Sequence, residues 1–502
     1  MQKSLKPLKN YLPELLSLII LPIYFFYVAF HRLIARDEGF YNIASKLVME
    51  GRAVYQDFFY PQMPLLPSIY ALWFKFFGAT WESSRIFTAI LAIFLGLLLV
   101  HLVKTKFGAT LAILSLFLYA TNNYVLAYLT VTKTYTLSIF FLFLSFYLLI
   151  LKPDKIWSTL FAGVAFSLSI QVRLFFAGLL PIFLIYFLLN KNSLNIKLKN
   201  ILYFCIGGFV VSVPSLVLAL KDFDLFYFNN LGYHLNRAEM SLDEVVENKT
   251  KILTTIAGLR QGVAFDAFHF PILNLLVFIS FIYFLLKKKI IFLDFLIFSG
   301  LFLLNILPSP TYIQYFVTLV PFAIFSLARL LNQFKNFKLQ IILIFIIVLS
   351  YGYNFKSEVI KYTKSGVGVI GIMNQKEAKE WSLENIIEIN NFIDLKIPNN
   401  EQIFTFWPGY LLHSSAYPLS KAENHYAFHA AKNLPVELQE KYKIISDKEI
   451  RNLIKEQKIK YLFLTQNSIE KRNLKNLLNN SNYCPAYNLN KNYIYQGCSL
   501  ND

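Results

Sequence analysis

"RDEGFYNIASKLVMEG", residues 36–51, follows the first long apolar run of the chain, and its reading decides the rest. Residues 13–31 upstream are apolar enough to cross a hydrocarbon layer of roughly 30 Å. Two carboxylates, Asp37 and Glu38, stand where that span meets water. Behind them Phe40, Ile43, Ala44, Leu47 and Val48 repeat with helical spacing, and Gly51 is placed to end the helix. A carboxylate in the first turn is favoured by free amides and the helix dipole. The expectation is a short amphipathic helix lying flat in the interface, the first element of a structured outer loop.

The same logic extends along the chain. Of 502 residues, 56% are hydrophobic and 17% aromatic, too apolar for a soluble fold of this length. About eleven spans are expected: 13–31, 84–103, 107–124, 134–151, 157–171, 174–190, 200–220, 268–286, 290–307, 313–330 and 338–354. The net charge of +18 invites a nucleic-acid reading, but its placement excludes one. Lys3, Lys6 and Lys9 precede the first span, and basic residues then gather in every second loop. These are Lys104 and Lys106; Lys152 and Lys155; Lys191, Lys197 and Lys199; Lys287, Lys288 and Lys289; and Arg329, Lys335 and Lys338, with Asp154 the lone acid. Positive-inside sorting produces this alternation. The expected fold class is therefore a multi-span α-helical protein of the plasma (inner) membrane, with a cytoplasmic N-terminus, a retained first span and a C-terminal extracytoplasmic α/β domain. The expected division is a membrane domain over 1–355, with outer loops 32–83 and 221–267, and a soluble domain over 356–502.

In the tail, "EQIFTFWPGYLLHSS", "IKYLFLT" and "KNYIYQG" read as strands, and 375–395 and 447–457 as helices. Cys484 and Cys498 flank a polar turn about Lys491, and two antiparallel arms would bring them within disulfide reach. Cys205, inside a span, reads as a core residue. The spacing of His425 and His429 lacks a third ligand, so no metal and no cofactor are expected.

Chemistry gathers on the outer face. Asp57 is a further carboxylate in the first loop, within a Phe/Tyr/Pro-rich run that is costly for a charge without a purpose. The run from Arg36 through "YPQMPL" to Phe76, Phe77 and Gly78 resembles the first outer loop of the type C membrane glycosyltransferases. The branch it resembles holds protein O-mannosyltransferase-like enzymes and lipid A aminoarabinose transferases. In that family an acidic pair after the first span is followed by a helix, a Pro-containing segment and an apolar helix. "PSPTYIQYFVTLVPF", residues 308–322, resembles the late polar-aromatic segment of the same family. The aminoarabinose branch carries a Glu-Lys pair where this chain has Pro61 and Gln62, a departure that speaks against lipid A as acceptor and turns attention to Asp57.

The resemblance implies transfer of a sugar from a polyprenyl-phosphate donor to a hydroxyl acceptor on lipid, glycan or protein. A hydroxyl is a poor nucleophile and needs a base, and the leaving phosphate needs cations or donors. The implied catalytic residues are Asp37, Glu38 and Asp57. The implied substrate-binding residues are Arg36, Lys133, Arg173, Arg260, Tyr312, Gln314 and Tyr315. A lipid-linked sugar flippase or transporter is the competing reading. It would line its spans with charge and often shows repeats, whereas here Asp294 is the main ionisable group within a span and no repeat is evident.

Overall fold

The structure is a computed structural model. It describes residues 5–498 apart from 154, 191, 237–239, 258, 260–268, 288–291, 335, 353–354, 367–371, 373–374 and 433. Arg260 lies outside the described residues, as do Asp154, Lys191, Lys288, Lys289 and Lys335 of the loop pattern.

Each expected span coincides with an apolar helical run: Leu5–His31, Trp81–Phe107, Ala109–Thr121, Thr134–Leu151, Ile156–Val172, Leu174–Leu189, Leu194–Lys221, His269–Leu286, Leu293–Ile306, Ile313–Leu331 and Phe337–Gly352. Among the described residues, 6 helices are long and apolar enough to cross a membrane by length and composition. Helix Leu194–Lys221 turns most of its surface outward. Cys205 is exposed on it, so the core position expected for this cysteine is not the observed one.

The chain divides into two compact units. Unit 1 holds residues 1–33, 85–215 and 240–378; unit 2 holds 34–84, 216–239 and 379–502. The division is not a single cut near residue 355, because the first outer loop and part of the second cluster with the tail.

In unit 1 the helices meet through aromatic rings, with Phe143 and Phe146 both packed on Phe322 at 5.6 and 5.5 Å. Asp294 is fully buried, and its charge is matched by Arg329, whose Nη2 and Nε reach the two carboxylate oxygens at 2.8 and 3.1 Å. Ser326 Oγ donates a further bond at 2.9 Å. The main ionisable group expected inside a span is thus paired, as burial requires.

In unit 2 the first loop forms helix Arg36–Met49 and, after an irregular Pro-rich stretch, helix Leu65–Phe77. The first ends in a Schellman arrangement. Gly51, at φ +92°, donates to Val48 O, and Arg52 donates to Leu47 O, each at 3.0 Å. The helix does not lie flat on an interface: Glu38 through Leu47 are all buried. Its apolar stripe packs on protein, and so does its polar face.

The tail carries a mixed sheet of β1 (Gln402–Phe404), β2 (Tyr417–Pro418), β3 (Tyr461–Thr465), β4 (Tyr483–Leu489) and β5 (Asn492–Gly497), in the order β2-β1-β3-β5-β4. The pairs β2/β1 and β1/β3 are parallel, and β3/β5 and β5/β4 antiparallel. Helices Leu383–Lys396 and Asp447–Lys455 fall where periodicity places them. Asn490 and Lys491, both at positive φ, make the two-residue turn of the β4–β5 hairpin. Cys484 and Cys498 are disulfide-bonded with Cα atoms 5.1 Å apart. They are not directly opposed: the two-residue turn would set Cys484 opposite Gly497, and the irregularity between Pro485 and Tyr487 moves its partner to Gln496.

Candidate active site

The acidic pair is split by its surroundings. Glu38 is fully buried, and its Oε1 accepts from Ala35 N at 2.7 Å, tying the helix start as a capping residue does. Asp37 is half-buried and turns the other way. Its Oδ1 accepts from the Tyr426 hydroxyl at 2.7 Å. Tyr426 belongs to the tail and stacks edge-on against Phe40 at 5.6 Å and beside His425 at 4.2 Å. Arg36 is exposed, with its guanidinium 5.5 Å from the Trp381 ring, while its carbonyl accepts from Trp407 Nε1 at 2.8 Å.

The helix is fixed to the tail along its length. Trp407 packs so close that a Cβ on Gly39 would meet its indole at 2.7 Å. At the other end Lys46 donates to Leu411 O at 3.0 Å and to Ser414 O. Burial lowers the pKa of Lys46, while Glu50 and Asp394 work in the opposite direction.

Asp57 is exposed. Its Oδ2 accepts from Ala53 N at 2.6 Å and closes a local turn. Arg52 spans this turn and the tail, donating to Asp57 O at 2.8 Å and to Glu423 Oε1 at 2.9 Å. Burial pushes the Glu423 carboxyl up to about 7, against the pull of Arg52. Tyr55, at φ +73°, holds a backbone conformation uncommon for a bulky residue. Its hydroxyl donates to Gln62 O at 2.7 Å and accepts from Asn230 Nδ2 at 3.0 Å. Asn229 Oδ1 accepts from Tyr60 N, and His234 Nε2 lies 2.9 Å from Pro61 O, so Asn229, Asn230 and His234 brace the Pro-rich stretch of the first loop.

Unit 1 brings together a second set of sequence-predicted residues. Lys133 stands just before helix Thr134–Leu151, and its Nζ donates to Gln314 Oε1 at 3.3 Å. Arg173 follows helix Ile156–Val172 directly, and its Nη1 donates to Thr134 Oγ1 at 3.4 Å. The guanidinium lies over two rings, Tyr135 at 4.6 Å and Tyr315 at 5.1 Å, and its Nε is buried with no hydrogen-bond partner among the described residues. Tyr312 packs edge-on against Tyr315 at 5.6 Å. Asn248 braces this segment, accepting from Thr311 N at 2.8 Å, and Lys249 Nζ donates to Ile306 O at 2.6 Å.

The structure thus joins Asp37 to Tyr426, groups Arg52, Asp57 and Glu423, and gathers Lys133, Arg173, Gln314 and Tyr315. Sequence reasoning missed Tyr426, Arg52 and Glu423. The tail segment "ENHYAFHA", residues 423–430, stood out only for its two histidines. Among the described residues no group of His, Cys, Asp or Glu is placed to hold a metal ion.

Residues 61–218 match the family model for dolichyl-phosphate-mannose-protein mannosyltransferase. No curated protein sequence is a significant match. Among solved structures, apo ArnT from Cupriavidus metallidurans superposes with a TM-score of 0.67 at 11% identity, over 96% of this chain and 97% of that one. The same protein bound to undecaprenyl phosphate gives 0.65 at 12% identity, over 97% and 98%. An oligosaccharyltransferase from Archaeoglobus fulgidus, tethered to an acceptor peptide, gives 0.51 at 13% identity, over 98% of this chain and 75% of that one. This chain therefore has the fold of ArnT over nearly its whole length, and within it residues 61–218 resemble the mannosyltransferase family.

Proposed function

We propose that the protein transfers a sugar from a polyprenyl-phosphate donor to a hydroxyl acceptor on the extracytoplasmic face of the membrane. The carrying observation is the Asp37 corner. A half-buried carboxylate at a loop entry is held by a neutral hydroxyl and close-packed aromatics, with a second carboxylate beside it spent on capping. In the transfer, the acceptor oxygen attacks the anomeric carbon and gives its proton to Asp37. The bond from that carbon to the phosphate oxygen breaks, and the lipid phosphate leaves with its electron pair.

Lys133 and Arg173 are the groups that would neutralise that phosphate. Arg173 offers a planar fork with a buried, unused N–H, and Gln314 and Tyr315 stand beside the two cations. The structure of ArnT with undecaprenyl phosphate supports a donor of this chemical class. Glu38 acts here by fixing the helix that carries Asp37. Asp57 acts through its turn and through Arg52. Tyr312, packed beside Tyr315, and Arg36, next to Asp37 in sequence, contribute to substrate contact. The placement of lysines and arginines in alternate loops supports a cytoplasmic N-terminus and an outward-facing unit 2.

Mass spectrometry of envelope lipids and glycans from cells with and without the protein tests the proposal. Loss of the protein should remove one sugar from an envelope component and leave its lipid-phosphate donor in excess. Loss of the same sugar with the excess donor confined to the cytoplasmic leaflet would favour the flippase reading, and an unchanged set of surface glycans would overturn the proposal.

A further inference from the structure

The tail enters the site through a short irregular segment that no helical or strand period marks. Glu423 at its start is 2% exposed and bound to Arg52 of the first loop at 2.9 Å. Three residues on, Tyr426 donates its hydroxyl to Asp37 Oδ1 at 2.7 Å. The helix bearing Asp37 is itself fixed by Trp407 at its first turn and by Lys46 near its last. Both partners of the Tyr426–Asp37 bond are therefore anchored independently of that bond.

We infer that Tyr426 is a positioning residue for Asp37, which makes the tail a working part of the catalytic centre. This rests on reading Asp37 as the base. A hydroxyl donated to a carboxylate favours its charged form and fixes the plane of its oxygens. Burial and the charge of Asp37 push the Tyr426 hydroxyl far up, so it stays protonated and remains a donor across the physiological range. Its ring is held on Phe40 and His425, leaving the hydroxyl little freedom to turn away. The titratable and charged groups around this pair are Arg36, Glu38 and Tyr41 on the helix of Asp37, Tyr60 in the first loop, Tyr233 from residues 216–239, and His425 in the tail.

The function follows from the bond. A base must be ionised before the acceptor arrives, and its accepting lone pair must point at the incoming proton. A tyrosine that never ionises in the working range supplies both conditions without adding charge. A second carboxylate or a cation in its place would move the base's proton affinity by a full charge interaction.

Isotope-edited infrared spectroscopy of the whole protein, labelled with carbon-13 aspartate, tests the inference. The Asp37→Asn variant is subtracted so that the Asp37 carboxyl alone is titrated. In Tyr426→Phe its midpoint should rise by about one pH unit, the size expected for one lost hydrogen bond to a charged group. The acid limb of donor turnover, followed as undecaprenyl phosphate released from a panel of undecaprenyl-phosphate sugars, should move by the same amount. Its kcat should fall roughly tenfold with KM little changed. A 3-fluorotyrosine at position 426 keeps hydroxyl and ring and should restore the midpoint to within a few tenths of a unit. An unchanged midpoint in Tyr426→Phe would overturn the inference and leave the proposed function standing. Full turnover in Asp37→Asn would instead remove the base reading itself, whatever the infrared midpoint shows.

Discussion

Asp37 meets Tyr426 at 2.7 Å, whereas Lys133 and Arg173 meet their side-chain partners at 3.3 and 3.4 Å. The carboxylate in unit 2 is gripped by a short, directed bond inside packed rings. The guanidinium in unit 1 rests on ring faces with an N–H to spare. A base has to be aimed before its substrate arrives, so fixing it costs nothing later. A phosphate grip has to keep donors in reserve, and contacts to aromatic faces hold a guanidinium without consuming its N–H groups. The two corners are therefore stiff and receptive in the way their proposed tasks require.

The comparison breaks first at Arg173. Arg173→Ala should weaken undecaprenyl phosphate binding by roughly 10- to 100-fold, the value of one charge-assisted pair, with acceptor KM little affected. Arg173→Lys should recover only part of this, because an ammonium lacks the planar fork. Equilibrium binding of the lipid phosphate checks it, and an unchanged affinity would leave the arginine a membrane-anchoring residue.

Gly39→Ala tests whether stiffness at the acid corner comes from packing. The added methyl would meet the Trp407 indole at 2.7 Å, forcing the helix off the tail. The expected cost is about 1–3 kcal/mol in stability, read by thermal unfolding, together with lost turnover and unaltered lipid-phosphate binding. A variant as stable and active as the parent would show that the helix has room to move.

A smaller effect is expected from Glu423. Its carboxyl is raised to about 7 by burial, so the folded state holds the proton more tightly than the unfolded one. The stability this adds is fully present below the ordinary glutamate range and is lost as pH rises through about 7. Between about pH 5 and 8 the parent should therefore lose stability relative to Glu423→Gln, by at most about 3 kcal/mol. Parallel unfolding temperatures across that range would mean that Arg52 keeps Glu423 ionised throughout.

The spans were legible because their signal is local. An apolar run such as 134–151 carries its own evidence, and the observed helix is Thr134–Leu151. The helix after the first span was legible from its stripe and Gly51, but its burial was not. Lys46 reaches carbonyls more than 360 residues away, which no local pattern records. Of the acidic pair, spacing gave no way to tell the cap from the base. Glu38 is recognisable as a cap only once Ala35 N is seen to reach it, and Asp37 as the outward member only once Tyr426 is in place. Tyr426 is 389 positions from Asp37, in a segment with neither periodicity nor motif, so nothing local announces it. The hairpin lies between these extremes. Its turn and its disulfide followed from nearby residues, while the slip between Pro485 and Tyr487 depended on pairing that composition does not record.

The most direct test loads the purified protein with a polyprenyl-phosphate sugar and follows a single turnover in Asp37→Asn. The substitution keeps the shape of the side chain and removes its charge. The lipid donor should bind as in the parent, and transfer should slow by about 10²–10⁴. Transfer at the parental rate with the donor fully bound would contradict the assignment of Asp37 as the base and return the residue to capping its helix.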